Sequence, residues 1–209
     1  AIIFDLRKNG GGREQMMQFI ASYLFDNEPV LLNNMYKRSE DKFYQTWTLP
    51  YVEGIRRPDV EVYILTSDYT FSAAEAFSYS LKHLKRATLV GETTGGGAHG
   101  GSPAVISNRF TLWLPRFEII NPITQTDWEG VGVVPHISVN EAAAFDTAYL
   151  LALEKLIKKR PEEAYLNQWH LESVKAKTTP VTLSNETLSS YIGQYDKKRT
   201  LSFLDGNLF

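Results

Sequence analysis

A chain of 209 residues that is 43% hydrophobic and 12% aromatic carries enough apolar surface for one packed domain and an appendage. With 22% charged residues and a net charge of −2, it is neither a disordered chain nor one that attracts nucleic acid. No apolar run reaches the ~20 residues of a membrane-spanning helix, and the absence of cysteine excludes disulfides, thiolate metal sites and a cysteine nucleophile.

The chain opens on Ala1-Ile2-Ile3-Phe4, an apolar run that predicts a buried strand over residues 1–7. It ends just after Asp205-Gly206, a dipeptide that favours hairpin turns. A domain rarely starts and stops inside its own strands, so the sequence reads as a fragment, with any signal peptide ahead of Ala1. The turn Asn9-Gly10-Gly11-Gly12 leads into a helix over about 13–25, whose periodicity puts Met16, Phe19, Ile20, Tyr23 and Leu24 on one face. Residues 26–58 scatter Tyr36, Phe43, Tyr44, Trp47 and Tyr51 among polar residues, as a surface strand pair or a substrate-lining loop would.

Val60 to Leu65 predicts a second strand, followed by a helix from Ser72 to about Lys85 with Ala73, Phe77, Leu81 and Leu84 at helical spacing. Ala87 to Val90 is a third strand, ending in the glycine loop Gly91–Gly101. Strands over 110–114 and 117–120 are separated by Pro115-Arg116, and a short strand lies near Ile137-Ser138-Val139. Strands alternating with helices imply a parallel sheet. Glu141 to Lys159 predicts an amphipathic helix stopped by Pro161, a shorter helix runs to about Lys175, and short alternating strands follow a boundary near residue 178.

Four features could carry chemistry. Ser72 sits where a buried strand gives way to a helix, so the first free helical amides can face a developing oxyanion, and Ala73-Ala74 let a carbonyl approach. The same residues, Ser72-Ala73-Ala74-Glu75, also spell a capping box, and spacing does not choose between the two. The turn at 9–12 can turn backbone amides toward a bound oxygen, but it lacks the spacing and the Lys-Ser/Thr ending of a phosphate loop. The glycines of 91–101 imply close backbone approach to a ligand or to another segment. Lastly, Asp127-Trp128-Glu129-Gly130 could aim a carboxylate into a cleft.

Taken in order, Asn9-Gly10-Gly11-Gly12, Thr70-Phe71-Ser72-Ala73-Ala74-Glu75, Val90-Gly91-Glu92-Thr93-Thr94-Gly95-Gly96-Gly97 and Glu129-Gly130-Val131-Gly132-Val133-Val134-Pro135 resemble the tail-specific (C-terminal processing) proteases, together with the tricorn-core protease and interphotoreceptor retinoid-binding protein. The resemblance covers about residues 1–140. It implies an α/β fold, a ClpP/crotonase-like spiral of ββα units; beyond it the residue pattern gives C-terminal helices (141–177), and Tyr191-Ile192-Gly193-Gln194-Tyr195 resembles the start of a small β module, or a hairpin, over 178–209. The family resemblance also implies a serine-type peptidase with Ser72 as nucleophile and the backbone amides of Gly11 and Ala73 as oxyanion hole.

Tail-specific members pair the serine with a lysine where this chain has Gly97, and no lysine occurs between Lys85 and Lys155. Tricorn-like members use a histidine base supported by a glutamate, which Glu129 matches. That histidine precedes the first motif in such relatives, so it would lie before Ala1. Within the chain, His83 is eleven residues into the nucleophile's own helix, ~16 Å along its axis, and His170 lies outside the match, which leaves His99 as the in-chain candidate. His136 stands where relatives carry an acidic residue. The resemblance implies no cofactor and no metal, a peptide or protein substrate, and a cell-envelope, periplasmic or secreted setting. Two other functions stay open on this scaffold: a non-catalytic binder of an apolar ligand lined by residues 36–51, and a crotonase-like acyl-thioester enzyme.

Overall fold

The apolar runs at the start of the chain and around residues 64 and 89 are hydrophobic on both faces. Such strands are stable inside a parallel sheet covered on two sides. The computed structural model describes residues 1–195, 199–204 and 207–208, and it has that arrangement. In chain order the elements are β1 (Ile2–Asp5), α1 (Glu14–Ser22), β2 (Leu31–Lys37), β3 (Lys42–Trp47), β4 (Val62–Thr66), α2 (Ala73–His83), β5 (Thr88–Gly91), β6 (Gly100–Ser107), β7 (Phe110–Ile120), β8 (Ile137–Ser138), α3 (Glu141–Lys159), α4 (Ala164–Thr178) and α5 (Asn185–Ser190).

The parallel sheet has the order β1-β4-β5-β8, with Ile2 in register with Val62 and Tyr63 with Thr88. Side chains alternate across it. Phe4, Val62, Ile64 and Leu89 pack with Met17, Leu24, Phe77 and Leu81 of the α1–α2 layer. Ile3, Tyr63, Leu65 and Val90 pack with Ala144, Ala148 and Ala152, whose small side chains let α3 lie close on the opposite face. The result is three layers with the parallel sheet in the middle. Truncating one of the fully buried strand residues, Leu65 or Leu89, would cost about 2–5 kcal/mol.

The buried stripe of α1 differs from the one its periodicity suggests. Met17, Ala21 and Leu24 are buried, while Met16 and Phe19 are exposed. Phe19 instead meets Tyr23 edge-on at 5.2 Å, a second apolar stripe beside the true core face.

Residues 31–47 form the strand pair β2–β3, with Tyr36 opposite Phe43, inside an antiparallel sheet of order β3-β2-β7-β6. Two expectations fail there. β7 runs unbroken through Pro115, because its pairing with β2 is confined to residues 118–120 and the opposing irregularity at Gly100/Gly101 absorbs the missing amide. β6 escaped notice because Gly100-Gly101 and Pro103 disguise a strand as a loop.

Beyond α3, Pro161 opens a 3-10 turn over Pro161–Glu163, and α4 packs back on α3. The alternating strands expected after residue 180 are preceded by α5, where Ser184 Oγ accepts the Thr187 amide at the N-cap. Gly193–Gln194 then pairs with Thr200–Leu201, and Phe203–Leu204 with Asn207–Leu208. The Asp205-Gly206 turn dipeptide lies outside the described residues. Among those described, no helix is long and apolar enough to cross a membrane.

Candidate active site

Neighbouring parallel strands end at the same edge of their sheet, so the turn after β1 and the loop after β4 must meet. They are sewn together by hydroxyls. Ser67 Oγ donates to Arg7 O at 2.6 Å, Thr70 Oγ1 donates to Leu6 O at 2.9 Å, and the Phe71 amide donates to Asn9 O at 3.1 Å. The base of the first turn is held further by Arg7, which pairs with Asp5 and donates to Glu141 O. The guanidinium bound to Asp5 keeps that carboxyl below its usual range.

Ser72 follows with φ 55° and ψ −122°. An N-cap ordinarily takes extended angles, so a residue serving only as a cap has no need of a left-handed φ. Such strain persists where the surroundings enforce it and is characteristic of functional sites. Glu75 does supply half of the capping box, accepting the Ser72 amide at 2.7 Å. The Ala73 amide has no acceptor among the described residues.

Gly11 is pressed against this elbow. A Cβ at Gly11 would lie 2.7 Å from Ser72 Cβ and 2.8 Å from Phe71 O, and its φ of +105° is itself strained for any other residue. The Gly11 amide accepts no role in a helix or strand; it donates to Asn9 Oδ1 at 2.9 Å. The structure thus brings Gly11, Ser72 and Ala73 together.

Glu75 is the residue that sequence reasoning undervalued. It is fully buried, and besides Ser72 it accepts the Gly96 amide at 2.7 Å, the Gly97 amide at 2.8 Å and the Thr94 hydroxyl. The signal was present as an acid in the first helical turn together with a glycine-rich loop, but an ordinary cap has the same signature. The glycines of that loop serve close approach to another segment. The Phe71 ring packs on Gly97, where a Cβ would fall 2.2 Å from it, so a side chain at this position would have to displace that ring. The third and fourth loops also clasp each other, through Gly130 N–H to Gly96 O at 2.9 Å and Val133 N–H to Thr94 Oγ1 at 2.7 Å.

Glu129 Oε2 accepts the Ala98 and His99 amides at 2.7 and 2.9 Å. His99 directs Nε2 at Asp127 Oδ2, 3.2 Å away, and Nδ1 toward Glu129 Oε2 at 3.9 Å. A cavity of about 80 Å³ beside Ser72 is lined by Gly97, Ala98 and Phe117, and His99 is not among its lining residues. Among the described residues no histidine or lysine is hydrogen-bonded to Ser72. His136 Nδ1 accepts the Leu89 amide at 3.0 Å, so an imidazole holds the end of the fourth motif against β5; burial, reinforced by Lys82, lowers its pKa.

An apolar cavity of about 140 Å³, lined by Phe4, Leu6, Met16, Ile20 and Phe77, opens beside Gly11 and Ala73. A larger one, about 610 Å³, lies among Ala1, Arg57 and Lys159 at the opposite edge of the sheet, away from the strand ends where this class of sheet binds ligands.

A model of peptidase family S41 matches residues 1–139. Among solved structures, a Bacteroides fragilis protein assigned to the S41 proteases aligns at 26% identity and a TM-score of 0.57, over 68% of this chain and 38% of that one. A Parabacteroides merdae protein assigned as a peptidase aligns at 25% identity and 0.55, over 66% and 44%. The photosystem II D1 C-terminal processing protease, at 19% identity and 0.54 over 66% and 34%, shares the fold. This chain therefore spans between 34% and 44% of the length of these three structures. With its four motifs in order over the matched region, and with the α/β fold of these proteases, the chain belongs to peptidase family S41.

Proposed function

We propose that this chain is the nucleophile-bearing region of a serine peptidase that cleaves peptide or protein substrates through an acyl-enzyme. Ser72 Oγ attacks the carbonyl carbon, and the Ala73 and Gly11 amides hold the oxyanion. The observation that carries this reading is the strained φ of Ser72 at a helix start with Gly11 packed against it. An oxyanion donor contributes about 3–4 kcal/mol of transition-state stabilisation. The Asn9 carboxamide that now takes the Gly11 amide has to yield it when a substrate carbonyl arrives. The apolar cavity beside Gly11 receives an apolar substrate side chain.

The proton acceptor in this reading is a histidine from outside these 209 residues, as in tricorn-like members, with Glu129 as its support. Gly97 at the lysine position, with no lysine between Lys85 and Lys155, favours that branch. His99 serves less well, because its ring is engaged by Asp127 and lies off the Ser72 cavity. Residues 1–140 form the catalytic core, 141–177 the C-terminal helices and 178–209 the start of a small β module or a hairpin, in an extracytoplasmic setting.

The binder alternative, lined by residues 36–51, draws less support, because Phe43, Tyr44, Trp47 and Tyr51 are all exposed. A fluorophosphonate probe on the full-length protein tests the assignment. Labelling that disappears in Ser72→Ala is the expected result. Well-folded full-length protein that stays unlabelled overturns it.

A further inference from the structure

His99 sits among carboxylates that have no lysine or arginine partner among the described residues. One donor atom each from His99, Asp127 and Glu118 fall within 4.8 Å of one another, and Glu129 Oε2 is 3.9 Å from His99 Nδ1. Among the described residues no lysine or arginine pairs with Asp127, Glu118 or Glu129, and the Glu118 carboxylate has no hydrogen-bond partner at all. The three groups come from separate segments, the loop before β6, strand β7 and the loop after it, so the fold and not the local chain brings them together.

We propose that His99, Asp127 and Glu118 form a binding site for a divalent transition-metal ion of the zinc class. Imidazole nitrogen and carboxylate oxygen are both zinc ligands, and three protein donors leave one position for water. Tetrahedral bonds of ~2.0–2.2 Å hold donors ~3.3–3.6 Å apart, and His99 Nε2 is already 3.2 Å from Asp127 Oδ2. Glu118 is exposed, so its side chain is free to swing the remaining distance.

An outer carboxylate also stands nearby, 3.9 Å from the second ring nitrogen. Ligating histidines usually present their second nitrogen to a carboxylate, which fixes the tautomer that leaves the first nitrogen's lone pair for the metal. Glu129 Oε2 faces Nδ1 and is itself held by two amides, while Asp127 Oδ1 accepts the Glu129 amide at 2.8 Å. Metal binding at Nε2 uses the tautomer with its proton on Nδ1, and the ion then bridges Nε2 and Oδ2. The imidazole selects a borderline ion over calcium or magnesium, which prefer oxygen donors. Because Gly97 and Ala98 line the cavity at Ser72, a metal bound at His99 stiffens the loop that forms one wall of it.

The test is a titration of EDTA-treated full chain with Co²⁺, read by its visible absorption bands, followed by displacement with Zn²⁺. It reads binding alone, so a failure of the peptidase assignment leaves it intact. Saturation at one equivalent is expected, with calcium failing to compete and His99→Ala and Glu118→Gln each weakening zinc by about 10-fold or more. Glu118→Gln changes an exposed group and keeps the fold, so it decides the matter even if His99→Ala folds poorly. Absence of cobalt bands, or zinc affinity unchanged in Glu118→Gln, overturns the site.

Discussion

A single carboxylate oxygen, Glu75 Oε2, accepts the Ser72 amide at 2.7 Å and the Gly97 amide at 2.8 Å. The turn that carries Ser72 and the wall of the cavity beside it are therefore referenced to the same buried atom. Glu75→Ala leaves the Gly96, Gly97 and Ser72 amides without their acceptor, at a cost of about 3 kcal/mol in unfolding free energy. Glu75→Gln keeps the volume but sets an amide group against these donors, so it falls short of rescue. Urea denaturation with both variants checks this, and wild-type stability in Glu75→Ala would show that the clamp is ornamental.

Ser72 itself is held against its conformational preference. Ser72→Gly removes the hydroxyl and relaxes φ 55°, so we expect a chain more stable by about 1 kcal/mol that hydrolyses nothing. A melting temperature below that of the unsubstituted chain would contradict the strain.

Gly11 has the opposite sensitivity. Gly11→Ala drives a methyl into Ser72 Cβ and Phe71 O and displaces an oxyanion donor. A fall of about 100-fold or more in kcat, with KM little changed, is the expected signature in a peptide assay. Near-normal turnover would take Gly11 out of the oxyanion hole.

The imidazole of His136 is neutral in the fold because Nδ1 must stay free to accept the Leu89 amide. Burial first, then Lys82, depress its pKa, and His83 is lowered in the same direction. The unfolded chain takes up these protons near pH 6.5 and the folded chain only at lower pH. Stability is thus fully present above about 6.5 and falls as the pH drops through the folded-state values. Lower urea midpoints at about pH 5.5 than at about 7.5, together with a His136 titration by NMR below 6.5, are expected. A His136 midpoint at or above that value would show the imidazole to be solvated.

How much of this was readable beforehand depends on whether a residue's role is local. The runs at 2–5, 62–66 and 88–91 announce a parallel sheet because burial on both faces leaves no polar alternation. The turn at 9–12 and the elbow at 72 were visible for the same reason, since a glycine run or a serine at a strand–helix junction is a local pattern. Met16 was misplaced because two apolar stripes on α1 compete and only packing selects Met17. β6 was hidden because glycine and proline are penalised as strand residues even where a bulge accommodates them. The double duty of Glu75 and the gathering of His99, Glu118 and Asp127 are long-range facts, and nothing within one window of sequence carries them.

The bond from Gly97 to Glu75 spans 22 positions, and that from Ala98 to Glu129 spans 31. Synthesis proceeds from the N-terminus at ~5–20 residues per second. Ser72 is consequently synthesised a second or more before the segments that shape its surroundings. A nascent chain of this kind carries Ser72 past its neighbours on the polysome before its surroundings take shape, and that arrangement is complete only when the last clasp has been translated.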